Sequence, residues 1–159
     1  MHIRKPLVLV AFIALCEFAG LFSSLFTLSS IPTWYAGLNK PSFTPPGWLF
    51  GPVWTTLYFL MGISLYITYE NRTRKRNFKK ALFIFGAQLA LNVLWTVAFF
   101  GFRSISLGFV LIILLWIAIA ATIFEFARIK RGAALLLLPY ILWVTIAALL
   151  NYYVLILNH

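Results

Sequence analysis

Five stretches of this chain are long enough to cross a lipid bilayer, and four of them carry no charge at all: residues 48–69, 81–102, 105–124 and 133–157. The remaining stretch, 7–28, carries one, Glu17. A helix rises about 1.5 Å per residue, so about 20 apolar residues span the hydrocarbon core. Backbone N–H and C=O groups in hydrocarbon must be bonded within the segment, which makes each stretch a helix. The chain is 63% hydrophobic and 10% charged, whereas a soluble domain is about half apolar and about a quarter charged. The reading is an all-α integral membrane protein, a five-transmembrane-helix bundle forming one domain over residues 1–159. Its helices are expected at about 6–28, 47–69, 80–102, 105–127 and 133–157; four or six spans are the alternatives. The basic N-terminus followed by an apolar run imitates a signal peptide. That run is too long for such a segment and no polar cleavage region follows it, so it reads as a retained helix.

The net charge of +10 would suit a nucleic-acid binder, but its placement argues for a membrane instead. Arg4 and Lys5 precede the first span. Arg72, Arg74, Lys75, Arg76, Lys79 and Lys80 lie between the second and third, and Arg128, Lys130 and Arg131 between the fourth and fifth. With five spans all of these fall on one side, and only Lys40 and Arg103 fall on the other. The positive-inside rule then puts the N-terminus in the cytoplasm, with the C-terminus and the loop between helices 1 and 2 outside; a bacterial-type cell membrane is the expected location. The basic loops are expected to touch anionic lipid headgroups, and no nucleic-acid partner is expected. Cys16 is the only cysteine, His2 and His159 are terminal, and there is no aspartate. No metal site and no catalytic residue are expected from such a set.

Helices in lipid gain nothing from burying apolar surface against each other, so small and polar residues mark the packed interior. Gln88, Asn92, Trp95 and Phe99 form one stripe of the third span, and Tyr140, Trp143, Ala147 and Asn151 one stripe of the fifth. Trp54, Tyr58, Met61 and Leu65 repeat the spacing in the second. The two amides of the third span are either interhelical glue or the lining of a ligand cavity. Pro139, one turn into the fifth span, is expected to kink it. Glu17 is an intramembrane carboxylate and therefore a functional candidate; a hydrogen bond to a loop or another helix is its structural alternative. Gly86 and Ala90, and Ala19 and Ser23, are small-residue pairs that allow close helix contact, within the chain or in a homodimer.

The connector of residues 29–47 is long for a compact bundle. Pro32, Pro41, Pro45 and Pro46 stiffen it, and Gly37 is placed to supply a positive φ. Trp34, Tyr35 and Trp48 fit an interfacial aromatic belt, but a belt needs no proline frame. The loop is read as a lid made of Trp34, Pro41, Pro45, Pro46 and Trp48 over an apolar pocket.

The stretch WYAGLNKPSFTPPGWLFGPVWTTLYFLMG closely resembles the signature of the TspO/MBR family, which holds bacterial tryptophan-rich sensory proteins and the mitochondrial translocator protein, or peripheral benzodiazepine receptor. QLALNVLWTVAFFG resembles its third-helix motif and PYILWVTIAALLNY its fifth-helix motif. The resemblance covers the whole chain. It implies a five-helix bundle, often dimeric, with a pocket under the first loop that binds porphyrins (protoporphyrin IX and haem-related tetrapyrroles) and isoquinoline-carboxamide ligands. Carried over by motif, that pocket includes Tyr35, Trp54, Gln88, Asn92, Trp95, Trp143 and Ala147; the stripes add Tyr58, Phe99 and Asn151. Porphyrin is expected as a ligand, with no obligatory cofactor. The expected role is a sensor or receptor in tetrapyrrole or oxidative-stress regulation. Light-dependent porphyrin degradation is an alternative, as is a small proton-coupled transporter using Glu17. Animal members end the fifth helix with an aromatic followed by a basic residue. Here Tyr152 and Tyr153 are followed by VLILNH, so sterol binding does not carry over.

Overall fold

The computed structural model describes residues 5–73 and 75–158. Arg4 and Arg74, among the cations used to orient the chain, and both histidines lie outside the described residues. Five helical stretches among the described residues are long and apolar enough to cross a membrane. They comprise α1 (Pro6–Ser30), α2 (Phe50–Glu70), α3 (Lys75–Thr96), α4 (Ile105–Ile129), and a fifth stretch built from a short α5 (Arg131–Leu135) and α6 (Leu138–Leu157). Each long helix packs antiparallel beside its neighbour: α1 along α2, α3 along α4, and α4 along α6. Contacts of α1 with α3 and of α5 with α2 close the ring.

Two departures from the expected boundaries matter for the site. First, α1 does not stop near residue 28. It continues to Ser30 and then into a wide π-type turn, Ile31–Tyr35, so Trp34 belongs to the end of this helix and not to a free loop. Pro32 falls early in that turn, where its missing N–H disturbs little. A second π turn, Val97–Gly101, ends α3, and the two turns meet: Ser30 Oγ donates to the Phe100 carbonyl at 2.7 Å. π turns inside helices cluster at functional sites because they re-aim side chains without ending the helix. Second, Pro139 does not kink a continuous helix. The fifth stretch breaks at residues 136–137 and restarts at Leu138, which puts Pro139 in the first turn of α6, where no intrahelical bond is lost. Nor does Gly37 adopt a positive φ; among the described residues only Arg103 does, at 54°, in the turn from α3 to α4.

The bundle has two unlike ends. At the basic end, Lys80 Nζ lies 2.6 Å from the carboxylate of Glu125, whose side chain is 6% exposed, and Arg128 adds a second cation at 3.5 Å. Phe85 stacks on Phe126 just beside this ion pair. Ser64 Oγ donates to the Ala133 carbonyl at 2.7 Å, tying α5 to α2. Gly62 lets α1 come close: a Cβ there would lie 2.5 Å from Ile13 Cα. At the loop end, residues 36–46 connect the π turn to a 3₁₀ turn, Gly47–Leu49, that opens α2. Lys40 Nζ donates to the carbonyls of Tyr35, Ala36 and Leu38 at 2.7, 3.1 and 2.8 Å. It thereby caps the end of the first helix, where a cation also opposes the negative end of the helix dipole. Asn39 and Asn158 exchange hydrogen bonds of 3.0 and 2.9 Å, and Phe43 packs edge-on to Tyr153. The loop is thus latched to the last turn of α6.

Candidate functional site

Between α1, α2 and the loop end of α3 lies a cavity of about 470 Å³. That size is within the usual range for small-molecule sites. Its floor is set by Glu17, Gly20 and Tyr58, and Gly20 is needed there: a Cβ would sit 2.5 Å from the Tyr58 ring. The hydroxyls of Ser23, Ser24 and Thr27 line the α1 wall, Trp54 and Thr55 the α2 wall, and Trp95, Thr96 and Phe100 the α3 wall. Ile31, Pro32, Gly47 and Trp48 form the roof. So the lid over the cavity is made from the two ends of the connector. Pro41, Pro45 and Pro46 do not line it; the middle of the loop is pinned over α6 instead.

The aromatic wall is continuous. The Trp54 and Trp95 rings lie 5.9 Å apart and are inclined by 36°, and Trp54 lies 5.7 Å from Tyr58. Trp95 stacks on Phe99 at 6.3 Å, and Phe99 in turn meets Trp34 and Tyr35. Ring pairs at these separations and tilts gain beyond their buried area.

Behind Tyr58 the polar stripe closes into a knot. Tyr58 Oη donates to Asn92 Oδ1 at 2.5 Å, Asn92 Nδ2 donates to Tyr140 Oη at 3.0 Å, and Tyr140 Oη donates to Gln88 Oε1 at 2.9 Å. This links α2, α3 and α6 through polar groups that hydrocarbon would otherwise leave unsatisfied, while Gln88 Nε2 stays buried without a partner. One step outward, Trp95 Nε1 donates to Asn151 Oδ1 at 3.3 Å, and Asn151 Nδ2 donates to the Ala147 carbonyl.

The residues expected from sequence are therefore all in the interior or beside it, but they do not share one space. Trp54, Tyr58 and Trp95 line the main cavity. Tyr35, Phe99, Ala147 and Asn151 surround a void of only about 20 Å³ that Trp95 also touches, barely room for one water. Trp143 stands on the other side of Phe50, in a cleft of about 440 Å³ between α2 and α6, and its Nε1 is buried without a partner. Gln88 and Asn92 line none of these spaces and are fully buried in the knot. Gly86 and Ala90 lie on the outer surface of α3, with nothing within 4 Å of a Cβ at Gly86.

Sequence reasoning missed the hydroxyl face of α1, although Gly20, Ser23, Ser24 and Thr27 repeat at helical spacing and carried the signal. It also passed over Glu125, because a carboxylate at the edge of a span looks like part of the flanking loop.

A model of the TspO/MBR family matches residues 12–157. The chain is 48% identical over 158 residues to the tryptophan-rich protein TspO of Archaeoglobus fulgidus, covering 99% of each chain. It is 42% identical to the protein of the same name from Chlorobaculum tepidum, covering 98% of each. With the human translocator protein it shares 41% identity over 129 residues, 79% of this chain and 75% of that one. Family model, near-full-length relatives and five-helix architecture agree, and the chain belongs to the TspO/MBR family.

Proposed function

We propose that this protein is a membrane receptor or sensor that binds a porphyrin, protoporphyrin IX or a haem-related tetrapyrrole, or an isoquinoline-carboxamide-type ligand, in the cavity between α1, α2 and α3. The observation that carries this reading is the wall of Trp54, Trp95 and Tyr58 along that cavity. A flat macrocycle gains from stacking on such faces. The hydroxyls opposite supply hydrogen bonds without charge. Lys40 is not available for the macrocycle's carboxylates, since its ammonium is taken up by three loop carbonyls. The test is a titration of purified protein with protoporphyrin IX, followed by tryptophan quenching. Trp54→Phe should weaken binding about three- to tenfold, the size of an aromatic-pair contribution. Trp143→Phe, outside this cavity, separates two versions of the pocket. If it weakens binding as much as Trp54→Phe, the ligand bridges both sides of α2. If neither change alters the titration, the assignment fails.

Light-dependent degradation of the bound pigment is a second reading. It needs light and dioxygen as the oxidant, with the bound pigment acting as photosensitiser beside the indoles of Trp54 and Trp95. Product formation should then stop in the dark. The charge asymmetry supports an orientation with the N-terminus cytoplasmic and the loop end outside. Asn158→Cys in a Cys16→Ala background should then react with an impermeant maleimide added to whole cells. The outward Gly86–Ala90 face of α3 is the proposed contact of a homodimer; Gly86→Leu should reduce cross-linking between copies.

A further inference from the structure

The main cavity has a feature that the porphyrin reading leaves unused. Glu17 stands at its inner end, partly exposed to it, and makes no hydrogen bond or ion pair among the described residues; the salt bridges found there belong to Glu125. Lys5, the nearest described cation along α1, is twelve residues away, about 18 Å along the axis. Six residues outward, about 9 Å, Ser23 is 6% exposed, lines the same cavity, and its Oγ is buried without a partner. Beyond both, Trp54 and Trp95 present their rings. Read from the inside outward, the cavity offers a carboxylate, an unsatisfied hydroxyl and a pair of indole faces.

We propose that this cavity recognises a ligand with a protonated amine at one end of a flat apolar body, the ammonium held by Glu17 and the body against Trp54 and Trp95. A carboxylate at membrane depth is costly unless a cation and hydrogen bonds compensate it. A ligand ammonium supplies both at once, as a charge-assisted hydrogen bond. Indole faces favour a nearby cation as well. Ser23 is placed to pair with a polar group part-way along the ligand, too far from Glu17 for one small group to satisfy both. An anionic ligand end is repelled from the Glu17 end of the cavity, so a porphyrin would have to enter with its carboxylates outward. This proposal deepens the reading above and rests on the same cavity, but on different atoms of it.

A matched series tests it: 1-pyrenemethylamine, 1-pyrenemethanol and 1-pyrenecarboxylic acid, titrated into the full chain in an uncharged maltoside micelle and read by tryptophan quenching. The amine should bind at least tenfold more tightly than the alcohol, and the acid more weakly than either. Glu17→Gln should bring the amine to within about twofold of the alcohol, both measured in the same variant. An amine preference that survives in Glu17→Gln, or none in the unaltered protein, overturns the proposal. A second measurement needs no variant. Carbodiimide coupling of bound pyrenemethylamine should form an amide on Glu17, located by peptide mass; an adduct confined to Glu70 and Glu125 would also overturn it. Protoporphyrin titrated in parallel keeps the two readings apart. Loss of porphyrin binding with amine selectivity intact removes only the porphyrin reading, and the converse removes only this one.

Discussion

The two ends of the bundle solve the same problem, polar groups at membrane depth, in opposite ways. At the basic end Glu125 has Lys80 and Arg128 as partners, and Ser64 has the Ala133 carbonyl. Helices there approach closely over Gly62, and Phe85 stacks flat on Phe126. Toward the loop end, two helices widen into π turns, Ser23 and Trp143 keep buried polar atoms unpaired, and the large cavity opens. A buried donor or acceptor without a partner costs about 1–3 kcal/mol. A fold that meets this cost at one end and avoids it at the other keeps tight helix packing apart from an open cavity. The knot of Tyr58, Asn92, Tyr140 and Gln88 is the boundary between the two.

The comparison is broken most severely by removing the cations of the basic end. Lys80→Met with Arg128→Met leaves Glu125 buried and unpaired. Glu125 is buried although both cations are more than half exposed, so stranding its charge should cost less than the about 3–5 kcal/mol of a fully buried pair, and thermal unfolding in detergent should shift down by several degrees. Glu125→Gln in the same background should recover most of that loss, because it removes the charge and not the shape. If the double variant melts like the parent, the ion pair is not what secures this end.

A smaller effect is expected at the boundary. Asn92→Leu removes the acceptor of Tyr58 Oη and the donor to Tyr140 Oη at once. Tyr140 Oη still donates to Gln88 Oε1, but Tyr58 Oη loses its acceptor and Tyr140 Oη its donor, at a cost of about 2 kcal/mol. Because Asn92 lines no cavity, porphyrin affinity should fall only through movement of Tyr58. A loss of affinity far larger than the loss of stability would show that the amide reaches the ligand after all.

Much of this was legible in the sequence because a membrane simplifies the reading. Charge-free stretches of fixed length give the helices, and two amides on one stripe must face inward, as Gln88 and Asn92 do. The illegible part is local geometry. A π turn has no composition of its own; residues 31–35 read as loop because Pro32 and Gly37 flank the aromatics, yet the backbone stays helical through Tyr35. Periodicity also places a side chain on a face without saying which gap the face borders. Trp54 and Trp143 both looked inward from sequence, and Phe50 stands between the spaces they line. The latch was invisible for a different reason. Asn39 and Asn158 are far apart in sequence and ordinary in their local context.

That latch supplies the mildest and most discriminating change. Asn158→Leu removes the hydrogen bonds that Asn39 shares with the Asn158 side chain, while Lys40 still caps the helix and Phe43 still meets Tyr153. Hydrogen bonds at an exposed site contribute about 0.5–1.5 kcal/mol each at most, so the melting temperature should move by a few degrees or less. The loop end should respond in rate instead. A connector that roofs the cavity only through its two ends opens when its middle is released, and lid motions of this kind set exchange rates. In stopped-flow mixing, the association and dissociation rates of the porphyrin should rise together, several-fold each, leaving the equilibrium affinity within about twofold. A change in affinity with unchanged rates would mean that the loop belongs to the binding wall. No change in either would mean that the ligand passes between α1 and α2 from the membrane and never crosses the loop.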